Sequence, residues 1–260
     1  MKRWITWGCL CLMIGTAAFA VAANPFVGTW KLNQKKSHLT GSTLKFASAG
    51  NGMIRETVSE GSFTFKTDGQ SYPSLFGESE NWKKLSGHSW QTVIHGNGGF
   101  VYTDTLNVSD DGQTLTITSA GTNPDGSAIY DKTVYSRMAS GKGLMGTWKS
   151  TAVKRSSERT LEFAPNGDDG ITWNLPQIKA TLKAKFDGKD YTPDGPTVPK
   201  GLTLSMTKSG ANSFWVTEKM NGKPIFKGKY SVSEDGKTLT EVGRPTGQAQ
   251  AETGVYDKQS

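Results

Sequence analysis

The sequence predicts an all-β protein made of two tandem antiparallel up-and-down β-barrel-like domains that follow a signal peptide. Three observations lead to this prediction: an apolar export segment at the start, an internal repeat at shifts of 118 to 124 residues, and side chains that alternate between apolar and polar. The chain has 260 residues, which allows one large or two modest domains. With 35% hydrophobic and 10% aromatic residues, the composition excludes a coiled coil, collagen and a wholly disordered chain.

The first element is a signal peptide, predicted to occupy residues 1–22. It begins with Lys2 and Arg3, continues with an apolar stretch to Phe19, and ends in small residues before a cleavage site placed after Ala22. The alternative is an uncleaved membrane anchor, for which the apolar run is shorter than the ~20 residues that a span requires. We therefore expect a periplasmic or secreted protein with no stable membrane span once the signal is removed.

Both cysteines, Cys9 and Cys11, lie inside this segment. Neither has the position or the preceding small residues of a lipid-attachment cysteine. The exported protein is therefore predicted to contain no disulfide and no thiolate metal site. Removing the signal lowers the formal net charge from +7 to +5, because Lys2 and Arg3 are lost. The remaining lysines are spread along the chain rather than clustered with aromatics, so no nucleic-acid partner is expected.

The repeat places one copy in residues 24–138 and the other in residues 143–258, with a small-residue linker between them. Four landmarks recur in the same order: Gly28-Thr29-Trp30 as Gly146-Thr147-Trp148, Asp68-Gly69 as Asp187-Gly188, Asn97-Gly98 as Asn221-Gly222, and Asp111-Gly112 as Asp235-Gly236. The second copy gains five residues between its Asp-Gly and Asn-Gly landmarks, assigned to residues 193–199. Insertions in loops are typical of two diverged copies of one fold.

Within each copy the side chains alternate with a period of two, which predicts half-buried antiparallel strands. From Ile178 to Phe186 every second residue is apolar, and the residues between them are Lys or Thr. In the segment 100–108 the apolar positions share one face, to which Asp104 is the exception. Four of the landmarks predict two-residue hairpin turns: Asn97-Gly98, Asn221-Gly222, Asp111-Gly112 and Asp235-Gly236. A closed barrel is favoured over a sandwich because closure removes exposed sheet edges.

The Gly-x-Trp segments resemble the first strand of lipocalin-like (calycin-type) barrels. In that family the Trp closes one end of the barrel and stacks with a basic side chain from the last strand. The resemblance implies such a closing role for two pairs of residues here: Trp30 and Trp148 as the indoles, with Arg137 and Lys258 at the ends of the last strands of the copies. The whole chain is also similar to exported bacterial proteins that begin with Gly-Thr-Trp-Lys and are described only as lipocalin-like.

Catalytic and metal motifs are missing from the sequence. The histidines outside the signal, His38, His88 and His95, lack ligand spacing, and no nucleophile elbow or phosphate loop is present. The Asn-Gly-Asp-Asp-Gly run at residues 166–170 lacks the distal Glu of a calcium loop, and turn chemistry accounts for it. No cofactor, no metal and no enzymatic activity are therefore expected.

Aromatic residues are the remaining candidates for a ligand site. We name Trp82, Trp90, Tyr102, Trp173 and Trp215 as candidate ligand-binding residues, since aromatics line the mouths of barrels that bind apolar molecules. The leading interpretation is an exported, non-catalytic binding protein for a small apolar molecule. The alternatives are a structural or protein-interaction module with solid barrels, and an enzyme of unknown type. An apolar cavity would favour binding, whereas titratable residues converging in a cleft would favour an enzyme. The sequence leaves the oligomeric state open.

Overall fold

The computed structural model describes residues 24–139, 141–155 and 159–259, and the predicted signal peptide at residues 1–22 lies outside them. The described residues form twenty β-strands. The first ten are β1 (Gly28–Leu32), β2 (Thr43–Gly50), β3 (Met53–Val58), β4 (Gly61–Phe65), β5 (Asp68–Pro73), β6 (Ser79–Lys84), β7 (Ser89–His95), β8 (Val101–Val108), β9 (Thr114–Thr122) and β10 (Ala128–Arg137). The other ten are β11 (Gly146–Lys154), β12 (Thr160–Pro165), β13 (Gly170–Leu175), β14 (Ala180–Lys185), β15 (Asp187–Tyr191), β16 (Leu202–Gly210), β17 (Ser213–Met220), β18 (Lys223–Val232), β19 (Thr238–Pro245) and β20 (Glu252–Lys258). Single turns of 3-10 helix lie at Leu75–Gly77, Asn97–Gly99 and Pro176–Ile178.

The strands form two antiparallel sheets of ten strands each. We call the sheet with the order β4-β3-β2-β11-β10-β9-β8-β7-β6-β5 barrel 1, and the sheet with the order β14-β13-β12-β1-β20-β19-β18-β17-β16-β15 barrel 2. In each sheet the two outermost strands, β4 and β5 or β14 and β15, follow one another directly in the chain, so the sheet curls back almost onto itself. The prediction of an all-β chain with two antiparallel barrel-like sheets is confirmed.

The two sheets exchange their first strands. Strand β1, from the N-terminal copy of the sequence repeat, lies in barrel 2 between β12 and β20. Strand β11, from the C-terminal copy, lies in barrel 1 between β10 and β2. Each barrel therefore contains one strand from the other half of the chain, and the segments that leave these strands cross between the barrels. Independent folding of the segments 24–138 and 143–258 stays a prediction.

Alternation of buried and outward side chains explains the strands. In β14, Ala180, Leu182 and Ala184 are buried, and the residues between them are half-buried or exposed. In β7, Trp90 and Ile94 face the core in the same way. The buried residues form one apolar cluster in each barrel. Burial of apolar side chains contributes roughly 1.5–3 kcal/mol per large residue, and these clusters stabilise the protein without a disulfide in the described residues.

The turns agree with the sequence in one place and differ in three. Asn221 and Gly222 both have positive φ, 50° and 78°, and form the predicted two-residue hairpin turn between β17 and β18. The Asn97–Gly99 segment is instead a single 3-10 turn in which Gly98 and Gly99 adopt positive φ. Asp111-Gly112 and Asp235-Gly236 lie in five-residue connections, in which each Asp accepts a hydrogen bond from a Ser two residues earlier. Side-chain bonding lengthens these turns beyond the predicted two residues.

Candidate functional site

A cavity of about 600 Å³ lies where residues of both barrels meet. Barrel 1 contributes strands β8, β9 and β10, through residues such as Tyr102, Ser119 and Asp131. Barrel 2 contributes strands β12 to β14 and β16 to β20, through residues such as Leu161 and Leu204. The volume falls in the range of small-molecule sites. This cavity is the candidate functional site.

The barrel 2 side of the cavity is largely apolar. Leu161, Trp173, Leu182 and Leu204 line it, and each of them is at most 7% exposed. They come from four strands, β12, β13, β14 and β16, and Trp173 and Leu182 lie directly opposite each other on β13 and β14. The indole of Trp173 is held against Phe163 at 5.3 Å between ring centroids, which fixes its plane. The wall thus offers a preformed surface for an apolar molecule.

Loops at the junction of the barrels cover one side of the cavity. Pro193, Val198 and Pro199, from the segment that the sequence identifies as an insertion, lie on its wall. The neighbouring Pro196 contacts the barrel 1 turn so closely that a Cβ on Gly98 would lie 2.6 Å from its carbonyl oxygen. Gly98 also has φ of 69°, so a side chain there is disfavoured on both grounds. The insertion in the second copy therefore supplies part of the enclosure.

A hydrogen-bonded polar group lies beside the apolar wall. The carboxylate of Glu241 accepts hydrogen bonds from the hydroxyls of Tyr230 at 2.7 Å and Tyr256 at 3.1 Å. Burial raises the pKa of both tyrosines, and the Glu241 charge raises it further. Burial alone would lower the pKa of Arg159, but the oxygens around it, those of Tyr256 and Glu241 first among them, hold it above its ordinary value. Arg159 is therefore a permanent cation among acidic and phenolic groups.

A salt bridge lies on the barrel 1 side of the cavity. Arg155, which follows β11, donates from Nη1 to Oδ2 of Asp131 on β10 at 3.0 Å. The backbone of Arg155 is also held by Gln34, in the segment that connects β1 to β2, through a 2.8 Å hydrogen bond to the Gln34 side-chain oxygen. The strand exchange thus places Arg155 at the junction, because both connected segments cross there.

Two carboxyl groups on the cavity walls have pKa values above their ordinary values. Burial raises the pKa of Glu218 to about 7, with a smaller contribution from Glu241, and Arg159 opposes the change. Burial raises the pKa of Asp104 to about 6, although a hydrogen bond from Ser119 partly offsets this. Groups with pKa values near neutrality in a cavity are typical of functional sites. They can exchange protons with a bound molecule at physiological pH.

More carboxyl groups lie inside barrel 1, behind Asp104. Glu80 accepts a hydrogen bond from Trp82 Nε1 at 2.8 Å, and burial raises its pKa to about 7. Burial also raises the pKa of Glu56 well above its ordinary value, helped by the charges of Glu80 and Asp104. Barrel 1 therefore encloses an acidic interior next to the cavity.

Three buried polar atoms on the cavity wall have no hydrogen-bond partner among the described residues: Trp173 Nε1, Asp104 Oδ1 and Arg155 Nε. Buried polar atoms in folded proteins are nearly always bonded, because leaving one unpaired costs about 1–3 kcal/mol. Two unpaired donors and one unpaired acceptor on residues that line the same cavity are groups that a ligand with polar atoms would satisfy.

A second cavity of about 370 Å³ adjoins the first. Arg159, Glu218, Glu241 and Tyr256 lie on the walls of both cavities and separate them. Its other side is formed by Leu39 and further residues of the two barrels. The cluster of Arg159, Glu218, Glu241 and Tyr256 thus borders both cavities.

The five candidate aromatics lie in three different environments. Tyr102 and Trp173 line the cavity. Trp82 and Trp90 are buried in the core of barrel 1, where Trp82 stacks on Phe65 at 4.2 Å between centroids. Trp215 is 38% exposed, and the Nζ of Lys227 lies 5.0 Å from its ring centroid. The structure brings Tyr102 and Trp173 to one cavity and leaves the other three away from it.

The closing residues form pairs in both barrels. Arg137 lies 4.0 Å over the ring of Trp148 in barrel 1, and Lys258 Nζ lies 5.1 Å from the ring of Trp30 in barrel 2. Because of the strand exchange, each cation lies over the tryptophan of the other half of the chain. Arg137 and Trp148 lie on the adjacent strands β10 and β11, and Lys258 and Trp30 lie on the adjacent strands β20 and β1.

The glycine before each of these tryptophans makes room for the cation. A Cβ on Gly28 would lie 2.8 Å from the side chain of Lys258, and one on Gly146 would lie 2.6 Å from that of Arg137. Both glycines have φ above 130°, a conformation that L side chains rarely adopt. This close approach explains why a glycine stands two residues before each tryptophan.

Sequence reasoning missed the charged residues of the site. Asp104, Glu218 and Glu241 occupy inward positions of strands β8, β17 and β19, next to buried residues such as Leu106 and Val216. The signal that could have identified them is an acidic residue in phase with the apolar face of an alternating strand. Asp104 showed that signal as the exception on its face. Arg155 and Arg159 carry no such signal, since they follow β11 and precede β12 outside the alternation.

No group of three or more His, Cys, Asp or Glu side chains in the described part of the chain is arranged to hold a metal ion. Within the same residues, no helix is long and apolar enough to cross a membrane. The chain matches no protein-family model, no curated protein and no solved structure.

Proposed function

We propose that the chain is an exported binding protein that holds a small, largely apolar molecule in the cavity between its two barrels. The observation that carries the proposal is the cavity itself, about 600 Å³ and lined on one side by buried leucines and Trp173. Sites for small molecules are typically concave, mostly apolar and equipped with a few convergent polar groups. The alternative of solid barrels, acting only through their surfaces, receives less support from such a space.

The rest of the proposal follows from the sequence. The signal-peptide pattern in residues 1–22 supports export to the periplasm or beyond. The two Gly-Thr-Trp segments and their cationic partners support a lipocalin-like identity for both barrels, which are nearly closed antiparallel sheets. The proposed role is carriage or sequestration without chemistry, and no cofactor or nucleic acid takes part in it.

Filling the cavity tests the proposal. Val198 lines it from the 193–199 loop, and the exposed Lys200 lies two residues further along. A Val198→Trp variant should lower the affinity for the neutral fluorescent probe N-phenyl-1-naphthylamine about tenfold or more, because the indole occupies part of the space. A Lys200→Trp variant is the matched control and should bind as the unmodified chain does. Equal affinity in all three proteins, or no probe binding in any, would contradict the proposal.

Native mass spectrometry of the protein from its own cell envelope gives the identity of the ligand. A reproducible excess mass that disappears on denaturation is expected. Its loss in the Val198→Trp variant would place the carried molecule in this cavity.

A second candidate function is acid–base catalysis on the molecule that occupies the cavity. The observation that favours it is the presence of two carboxyl groups on the cavity walls with pKa values near neutrality, about 7 for Glu218 and about 6 for Asp104. Such groups can both take up and release protons near neutral pH. Prolonged incubation of the recovered ligand with purified protein separates the two candidates: an unchanged mass supports carriage, and a new product supports catalysis.

A further inference from the structure

The charges on the cavity wall are not balanced. Among the residues that the structure describes, the wall carries five carboxyl groups and two guanidinium groups: Glu78, Asp104, Asp131, Glu218 and Glu241 against Arg155 and Arg159. The chain as a whole has the opposite sign, with a formal net charge of +7. The cavity is therefore an acidic compartment inside a basic protein.

Both guanidinium groups already interact with carboxyl groups of the cavity wall, so neither is free to bind an anionic ligand. Arg155 is bonded to Asp131 at 3.0 Å. Arg159 interacts with Glu241 and Asp131, and it also faces Glu218. A charged side chain that already faces several opposite charges attracts an anionic ligand weakly, because the field of its neighbours opposes the approach.

The excess of carboxyl groups over cations is greatest on the barrel 1 side of the cavity. Burial raises the pKa of Glu78 and Asp104, and among the described residues no cationic side chain contributes to the shift of either group. Asp104 Oδ1 is buried without a partner in the described part of the chain. Glu80, further inside barrel 1, adds repulsion to Asp104 through their mutual charge. A cation brought to this place would relieve that repulsion.

Aromatic rings lie next to these carboxyl groups. The rings of Phe100 and Tyr102 contact each other with centroids 5.2 Å apart, and both line the cavity. A Cβ on Gly96 would lie 3.1 Å from the Phe100 ring and 3.4 Å from the Glu78 carboxylate, so ring and carboxylate lie side by side. Carboxylates beside aromatic faces are the combination that organic cations prefer, because the ring face is also negative.

An independent observation on the other wall also points to a ligand. Trp173 is 95% buried, lies on the apolar side of the cavity, and its Nε1 has no partner among the described residues. A bound molecule with an apolar body and one hydrogen-bond acceptor would satisfy that indole. The barrel 1 wall therefore suits a cationic group, and the barrel 2 wall suits the apolar part of the same molecule.

We infer that the cavity takes an amphipathic organic cation, with its ammonium group toward Asp104 and Glu78 and with an apolar body that packs against Leu161 and Leu204 and carries a hydrogen-bond acceptor toward Trp173. This inference rests on the proposed function, and it adds the charge and orientation of the ligand. The ammonium pairs with carboxyl groups that have no cationic partner in the described part of the chain, and the apolar chain of the ligand fills the leucine-lined part of barrel 2.

Three probes with the same alkyl chain test the inference: decyltrimethylammonium, 1-decanol and decyl sulfate, each titrated calorimetrically into the full protein below micelle formation. Decyltrimethylammonium should bind about tenfold more tightly than 1-decanol, since a charge-assisted contact contributes that much. Decyl sulfate should bind most weakly, because the wall carries excess negative charge.

Variants locate the cation. Asp104→Asn should weaken decyltrimethylammonium binding about tenfold and leave 1-decanol binding within about twofold, because only the charge is removed. Glu78→Gln is a second variant with the same expectation, in case the first does not fold. Asp110→Asn is the matched control, since Asp110 is fully exposed and pairs only with His88 in the described structure.

The outcomes separate the inference from the proposed function. Equal or tighter binding of 1-decanol or decyl sulfate, or an unchanged cation affinity in both cavity variants, overturns the cationic ligand and leaves the binding function intact. Absence of binding for all three probes overturns both.

Discussion

Barrel 1 and barrel 2 are closed in the same way at one end and are lined differently inside. In both, an indole is buried to less than 1% exposure, donates its Nε1 to a backbone carbonyl four residues earlier, and lies under a cation. The interiors differ, since barrel 1 encloses the carboxyl groups of Glu56, Glu80 and Asp104, whereas barrel 2 places Glu218 and Glu241 beside Arg159, leucines and Trp173. The comparison teaches that the two barrels share the arrangement of their closed ends and differ in the polar groups that their interiors carry.

The largest expected effect concerns the exchange of strands β1 and β11 between the two barrels. A protease site introduced into the linker 139–143 and then cut should leave the two halves associated, because each half has given a strand to the sheet of the other. Gel filtration should show one species before and after cutting, and separation only in denaturant. The uncut variant is the control. Two separate monomers would instead mean that each half has taken back its own first strand, and that the segments 24–138 and 143–258 are independent domains.

The two closing tryptophans should each be essential, but for opposite halves of the molecule. Trp30→Ala and Trp148→Ala should each lower the free energy of unfolding by about 3–5 kcal/mol, because a fully buried indole is lost. Hydrogen exchange should show that Trp30→Ala exposes amides of residues 160–258, although Trp30 belongs to the N-terminal half. Trp215→Ala, at an exposed indole, should cost much less. Loss of protection around residues 43–137 in Trp30→Ala would contradict the exchange.

The cations over the two tryptophans should differ in their contributions. Arg137 donates to the carbonyl oxygens of Gly112, Met145 and Gly143 besides covering the Trp148 ring. Arg137→Ala should therefore cost about 2–3 kcal/mol of unfolding free energy in denaturant titrations.

Lys258 provides the comparison for Arg137. Its Nζ lies over the Trp30 ring, and Lys258→Ala should cost about 0.5–1 kcal/mol. Equal costs for the two substitutions would mean that the carbonyl contacts of Arg137 contribute nothing.

The acidic interior of barrel 1 should make the protein less stable at high pH. Glu80 has its pKa raised to about 7 in the folded state against an ordinary value of 4.5, so the folded state binds its proton more tightly than the unfolded state. Stability should then fall as pH rises from about 4.5 to about 7. The groups that act on Glu80 are Asp104, Trp82, Ser74 and Thr92, and Glu56 also faces it.

Replacing that carboxyl group isolates its contribution. Glu80→Gln should raise the free energy of unfolding at pH 8 by about 1–2 kcal/mol and leave it nearly unchanged at pH 4.5, because the amide mimics the protonated acid and still accepts from Trp82. Thermal or denaturant unfolding across this pH range measures the difference. Asp168→Asn, at an exposed carboxyl group, is the control and should follow the unmodified profile. A Glu80→Gln profile parallel to that of the unmodified chain would contradict the assignment.

The sequence was sufficient for the class of fold and for local features. Period-two alternation and the Asn221-Gly222 turn are short-range properties, and they predicted the strands and their faces because side-chain direction in a strand depends only on position. The exchange of β1 and β11 could not be read in this way. Both strands contain Gly-Thr-Trp-Lys, so the local sequence does not distinguish which of the two sheets each strand joins.

The site was harder to predict than the fold. Tyr102 and Trp173 were chosen for being aromatic, and an aromatic side chain is as suitable for a core as for a cavity. Trp82 and Trp90 have the same chemistry, and packing against Phe65 and its neighbours keeps them inside barrel 1. The charged residues became recognisable only when the two barrels were assembled, because Arg155 and Asp131 are far from Glu218 in sequence and meet at the junction.

The position of β1 also has a consequence for the order of folding. Trp30 pairs with Lys258, so the first strand of the chain completes its sheet with the last one. During synthesis β1 is made early but cannot find both of its neighbours, β12 and β20, until nearly the whole chain exists. Contacts between residues so distant in sequence form slowly, because the long loop must close before it gains any pairing. Barrel 2 must therefore be the last part of the molecule to form, because β1 and β20 can pair only after both have been synthesised.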